Sequence, residues 1–226
     1  MTIRVNSLMV SLDGFAAGAD QSLEAPMGIG GQNLSSWMWT TEFGRSMRGM
    51  SGGSTGVDNS WLRRGEANVG ATVMGRNMFG PIRGQWPDEL WNGWWGDEPP
   101  YHHPVFVLTH YPRPHLSMEG GTTFHFVTGG LVDALEQATK AAAGKDVRIG
   151  GGVSTVREAL RDQLVDELHV CIVPVLLHSG ERLWEDLGTW PQGYICDQIE
   201  ASESVAHIHF SRGILNSGGS RWVTFW

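Results

Sequence analysis

The sequence predicts an α/β fold whose central sheet is mostly parallel, with antiparallel pairing at the C-terminal end. Three observations predict it. Runs of β-forming residues first alternate with helical stretches, the order that builds βαβ units. Two of these runs pass straight into glycine and then a helix, at Gly75 and at Gly150-Gly151-Gly152. The last segments then read as strands that follow one another without helices between them.

Ile3 to Leu12 alternates loosely and is rich in β-formers, so it reads as a strand that stops at the turn signal Asp13-Gly14. A loop-rich stretch from Ala19 to Gly56 follows, with a helix expected near Leu34 to Met50 between two glycine clusters. A short helix is expected over Ser60 to Asn68, with Asp58 or Asn59 as its N-cap. Ala71 to Met74 is a strand running into Gly75-Arg76, and Gly80 to Pro104, rich in Pro, Gly and Trp, is an irregular loop. Val105 to Thr109 and Thr123 to Thr128 are short strands. Leu131, Leu135, Ala138 and Ala142 share one face at helical spacing, which predicts a helix from Leu131 to Ala143 with Gly144 as its stop. Val147 to Ile149 is a strand, and the three glycines lead to a helix starting near Thr155, where Thr155 and Glu158 have capping-box spacing. Glu167 to Leu177 is nearly all apolar and predicts one long strand buried on both faces. Tyr194 to Glu203, Val205 to Arg212 and Arg221 to Trp226 are the closing strands, the last two joined by a turn at Asn216-Ser217-Gly218-Gly219. No internal repeat or linker interrupts the 226 residues, so a single domain is expected.

Composition narrows the function classes. Lys and Arg number 16 against 24 Asp and Glu, a formal charge of −8, so no basic stripe survives and nucleic acid is not an expected partner. The longest apolar run, Val170 to Leu177, contains Pro174 and is far short of the ~18 residues a membrane span needs. The N-terminus does not read as a signal peptide, and two cysteines make no metal framework, so a reduced, cytoplasmic chain is the default. The 31 Gly are about twice the ~7% average share, and seven of the 11 Trp lie between Trp37 and Trp95. Backbone that comes close to something and broad, half-polar rings together suit a domain that binds a small molecule.

Two junctions carry the candidate chemistry. Gly150-Gly151-Gly152-Val153-Ser154-Thr155 puts glycines at a helix N-terminus, where free amides and the helix dipole suit a phosphate; a tight turn with a Ser or Thr cap is the other reading. Gly75-Arg76-Asn77-Met78-Phe79 places a cation at a helix start, which suits an anion such as a phosphate ester, or else a surface carboxylate. NADPH carries phosphates that could use both. Asp13 is either a turn residue or a polar group facing a cleft. Trp37, Trp39, Trp91, Trp94 and Trp95 could form a wall for a flat substrate, or belong to the core or an interface. His102-His103 lack metal-ligand spacing, and His207 and His209, alternating on one strand, suggest a solvent or interface face more than a metal site.

These motifs in combination resemble the reductase domain of riboflavin biosynthesis, the RibD C-terminal family, which shares the dihydrofolate reductase fold. Ser11-Leu12-Asp13-Gly14-Phe15-Ala16-Ala17-Gly18 resembles its first-strand motif and Val73-Met74-Gly75-Arg76-Asn77-Met78-Phe79-Gly80 its second. Ile149-Gly150-Gly151-Gly152 resembles its third, and Val165 to Leu177 its late strand, with His178 where the family commonly has Gly. Order and spacing agree over nearly the whole chain, as in a stand-alone bacterial member without a deaminase domain. The resemblance implies a three-layer fold with eight or nine strands and helices on both faces, a homodimer, and NADPH as hydride donor to a small heterocycle such as a pterin, a folate or a ribosylaminouracil. A non-catalytic NADP(H)-binding protein of the same fold is the alternative. By position, Gly75, Arg76, Asn77 and Met78 would hold the adenosine 2′-phosphate side, and Thr109 and His110 would border the adenine ribose. Gly151, Gly152, Val153 and Ser154 would cradle the pyrophosphate, with Gly150 and Thr155 also binding cofactor, and Ala16 and Ala17 would line the nicotinamide. Ser11, Asp13 and Pro174 would border the hydride-transfer cleft, with Ser11 and Asp13 as the candidate catalytic pair and Trp37 and Trp39 contacting substrate.

Overall fold

A computed structural model describes residues 1–88, 91–190 and 193–213. The predicted strand over 221–226 and the turn before it lie outside the described residues. The chain runs β1 (Ile3–Ser11), β2 (Phe15–Ala17), a 3-10 helix (Gly31–Thr40), α1 (Glu42–Ser46), α2 (Val57–Glu66), β3 (Val69–Gly75) and α3 (Arg76–Phe79). It continues with β4 (Pro104–Leu108), β5 (Leu116–Ser117), β6 (Thr123–Val127), α4 (Gly130–Ala141), β7 (Asp146–Ile149) and α5 (Val153–Arg161). Last come β8 (Glu167–Val173), β9 (Glu181–Arg182), β10 (Tyr194–Ala201) and β11 (Ala206–Arg212).

One nine-stranded sheet has the order β10-β11-β8-β1-β7-β3-β4-β6-β5. Its six central strands, β8 through β6, are parallel, and β11, β10 and β5 pair antiparallel at the margins. Side-chain alternation assigns the faces. Leu168 and Val170 of β8 join Val73, Phe106, Ile149 and the apolar stripes of α4 and α5 on one face. Cys171 and Val173 pack against Leu34, Trp37 and Leu62 on the other, under the 3-10 helix and α2. On that second face, toward β4 and β6, Phe79, Val105, Val107 and Phe124 meet Trp86, Trp91 and Trp95 of the irregular loop.

Four expectations are corrected. The helix near 34–50 is two pieces, because Thr41 is extended and its Oγ1 accepts the Gly44 amide at 3.0 Å, ending one turn and capping the next. α2 begins earlier than expected, with Gly56 as N-cap. Asp58 and Asn59 are therefore inside its first turn and bonded elsewhere, Asn59 Oδ1 accepting from the Phe43 amide at 2.7 Å. The Thr155–Glu158 capping box does not form, since α5 starts at Val153 behind Gly152 and Thr155 is buried. β8 stops at Val173, where Pro174 interrupts the ladder. The following residues instead fold over the end of β1, with Leu12 N–H donating to Val175 O at 3.0 Å. His178 there has φ of 63°, the left-handed conformation that favours glycine.

Candidate functional site

The C-terminal ends of β3, β4, β6 and β7 open onto a cleft of about 1310 Å³, the end of a parallel sheet where strand-to-helix loops leave room for a ligand. Gly75 closes β3 and Gly150-Gly151-Gly152 follow β7, and hydrogen bonds tie the two junctions together. Gly75 N–H donates to Gly151 O and Gly150 N–H to Val73 O, both at 2.8 Å. Glycine is required at two points. A Cβ on Gly75 would lie 2.7 Å from Thr155 Oγ1, and Gly151 has φ of 115°. A Cβ on Gly152 would meet nothing within 4 Å. No side chain caps the first turn of α5, so the Ser/Thr-cap reading of this loop fails and its N–H groups stay available to a ligand in the cleft.

Arg76 opens α3 and lines the same cleft. Its guanidinium lies 3.9 Å from the Trp86 ring centroid, and Nη1 donates to Gly84 O. Nε and Nη2 are buried without a partner. Burial pulls the pKa of this guanidinium down, and the nearby Arg113 cation adds to the effect. A cation held over an indole, with two nitrogens lacking partners, is suited to an anion with several oxygens. Trp94 and Trp95 also line the cleft, and both indole N–H groups donate to Met78 O, at 2.8 and 2.7 Å. The Trp-rich loop is thereby fastened to α3.

Every other proposed cofactor residue also lines this cleft: Ala16, Ala17, Asn77, Met78, Thr109, His110, Gly150, Val153, Ser154 and Thr155. Asn77 Nδ2 donates to Gln21 Oε1 at 3.2 Å and Gln21 Nε2 donates to Glu181 Oε1 at 2.7 Å, linking α3 to the early loop and β9. Trp39 lines the cleft with Met38, Met47 and Arg48, and the Arg48 guanidinium lies 3.5 Å from the Trp39 ring centroid. Arg48 was not legible in the sequence, because only the fold of the loop brings it back over Trp39.

Ser11, Asp13, Pro174 and Trp37 do not line the cleft. Ser11 is buried and bridges the first turn, donating to Asp13 Oδ1 at 2.5 Å and accepting from the Phe15 amide at 3.0 Å. Asp13 Oδ1 and Oδ2 accept the amides of Leu177 and His178 at 3.1 and 2.7 Å, so its carboxylate ties the first turn to the segment after β8. Pro174 is exposed, and Trp37 is a core residue packed beside Leu34 and Cys171. His207 and His209 are also corrected, for both are buried beneath α2 rather than facing solvent. Both cysteines are free. Among the described residues, no helix is long and apolar enough to cross a membrane.

Comparison with known proteins adds three findings. Residues 2–201 match the family model of the RibD C-terminal domain. A protein described as a riboflavin biosynthesis protein, from Shewanella sp. PV-4, is similar in structure, with a TM-score of 0.60 and 22% identity over 94% of this chain and 99% of that one. Dihydrofolate reductase from Enterococcus faecalis, solved in complex with NADP(H) and RAB-propyl, has a TM-score of 0.50 and 14% identity over 94% of this chain and 96% of that one. Among curated proteins none matches the chain significantly.

Proposed function

The chain belongs to the RibD C-terminal domain family, and on that premise we propose that it is an NADPH-dependent reductase acting on a small, flat heterocycle. The observation that carries this reading is the pairing, in one cleft, of Arg76, whose Nε and Nη2 are buried without partners, with the uncapped, glycine-led start of α5. These residues fit a dinucleotide with a phosphate on its adenosine ribose. Arg76 would hold the 2′-phosphate, with Asn77 and Met78 beside it. The amides of the Gly150–Thr155 loop would hold the pyrophosphate. Thr109 and His110 would border the adenine ribose, and Ala16 and Ala17 the nicotinamide. When bound, the cofactor supplies hydride, here to a polarised C=N or C=O carbon. The chain's own residues orient and desolvate the pair. Trp39, Met38 and Met47 offer a flat apolar wall, and Arg48 a cation for an acidic substituent.

Calorimetric titration with NADPH and NADH tests the cofactor half. Arg76→Ala should weaken NADPH by about tenfold to a hundredfold, the worth of charge-assisted hydrogen bonds, and leave NADH nearly unchanged. No binding of NADPH at millimolar concentration, or equal loss for both nucleotides, overturns it. One observation favours a second reading, a binding protein without turnover. Among the described residues the carboxylates lining the cleft are Glu158 and Glu181, and Glu181 is already bonded to Gln21. Turnover on a panel of pterins, folates and ribosylaminouracils separates the two.

A further inference from the structure

Three buried side chains outside the cleft bring their donor atoms together. His169 Nε2 and His207 Nδ1 are 3.0 Å apart, and Cys171 Sγ is 3.6 Å from each. The sheet register causes this. His169 and Cys171 share a face of β8, and His207 of β11 pairs opposite Cys171. Trp61 of α2 covers them, stacked on the His169 ring at 4.3 Å and on the His207 ring at 5.7 Å. Two imidazoles and a thiol at such separations would suit a metal ion.

The protons point elsewhere. The Ser7 amide donates to His169 Nδ1 at 3.1 Å. A backbone N–H can only donate, so Nδ1 carries a lone pair and the neutral ring carries its hydrogen on Nε2. That hydrogen is directed at His207 Nδ1 and occupies the lone-pair position a metal ion would need. His207 then carries its own hydrogen on Nε2, which donates to Asp58 Oδ1 at 3.0 Å. Asp58 Oδ2 in turn accepts from Ser202 Oγ at 3.0 Å. All four ring nitrogens are satisfied with both rings neutral. Burial supports that state, pulling the His169 pKa down to about 3 and lowering that of His207 as well.

The chain of hydrogen bonds begins where β1 meets the cleft. β1 is irregular between Val5 and Leu8, and Ser7 has φ of 52°. A regular strand turns alternate side chains to opposite faces, yet Val5 through Met9 all line the cleft. Asn6 is fastened as well, its Nδ2 donating to Gly65 O at 3.0 Å. We propose that His169, oriented through His207 by Asp58, is a positioning residue that holds the Asn6–Ser7 bulge of β1 in its cleft-lining shape, without a metal ion. The proposal rests on the cleft being the ligand site, as in the function proposed above.

Nitrogen-detected imidazole spectra of the full chain test it without any variant. Both rings should be neutral with hydrogen on Nε2. A spectrum with hydrogen on Nδ1 of His169, or a stoichiometric cobalt(II) complex with a thiolate charge-transfer band, overturns it. His169→Ala should speed hydrogen exchange at the Ser7 amide by about tenfold, the worth of one hydrogen bond, and weaken NADPH. His169→Asn, whose Oδ1 can still accept from Ser7, should restore both. Equal effects of the two variants, or an unchanged Ser7 amide in His169→Ala, sink the idea. If the wild-type protein does not bind NADPH, the reductase reading fails while Ser7 exchange still decides the role of His169.

Discussion

Asp13 has its carboxylate tied to Ser11 Oγ and to the amides of Leu177 and His178, and these bonds, the Ser11 hydroxyl first, hold its pKa down to about 2. A folded-state pKa below the ordinary 3.8 stabilises the fold above that value. The contribution is lost as pH falls through about 2. The melting temperature should therefore drop between about pH 4 and 2, and Asp13→Asn should melt lower at neutral pH with a flatter acid limb. An acid limb of unchanged slope would show that Asp13 carries no such linkage. The neighbouring tryptophans teach a separate lesson. Trp37 and Trp39 are two residues apart on the 3-10 helix, yet one is in the core and the other lines the cleft. Their common composition suggested a common role. Only the tertiary position of the 3-10 helix, which no local pattern encodes, divides them.

At the scale of the element, legibility followed how local the cause was. α4 was visible in Leu131, Leu135 and Ala138, since a regular amphipathic stripe is a local property, and all three are buried. The 3-10 helix and α1 were not, because the break depends on Thr41 reaching back to cap Gly44. Strands β2, β5 and β9 are two or three residues long, too short for periodicity to register. The start of α5 was legible in composition but not in detail: three glycines marked the junction, while the supposed Thr155 cap proved to be a buried contact. This gives a steric test of the proposed phosphate loop. Gly152 has φ of −60° and open space where a Cβ would stand. Gly152→Ala should leave the melting temperature nearly unchanged and reduce NADPH affinity at least several-fold. A variant that binds NADPH as the wild type does would remove the cradle from this loop.

Across the whole molecule, the parallel centre and the antiparallel C-terminal margin were both readable from the order of strands and helices. What the order could not reveal was burial at that margin. β11 supplies His207 and His209 to a layer sealed by Trp61, more than 140 residues away in sequence. Among the described residues β10 is the outermost strand there, and it exposes Ile195 and Ile199 at 59% and 67%. Exposed branched side chains on a marginal strand invite a second copy. We propose that two chains associate through it. Light scattering should give twice 24.8 kDa, falling to one chain when Ile195 and Ile199 are both changed to Asp. A wild-type mass of one chain rejects the association.

The two indoles fastened to Met78 O have a use beyond holding a loop. Trp94 and Trp95 line the cleft with their rings 4.5 Å apart. Their ultraviolet emission therefore originates at the wall of the cleft. A reduced nicotinamide bound there, as proposed above, would absorb where indole emits and so quench that light. If the proposed cofactor binds, quenching of these two indoles should report it with no label to attach.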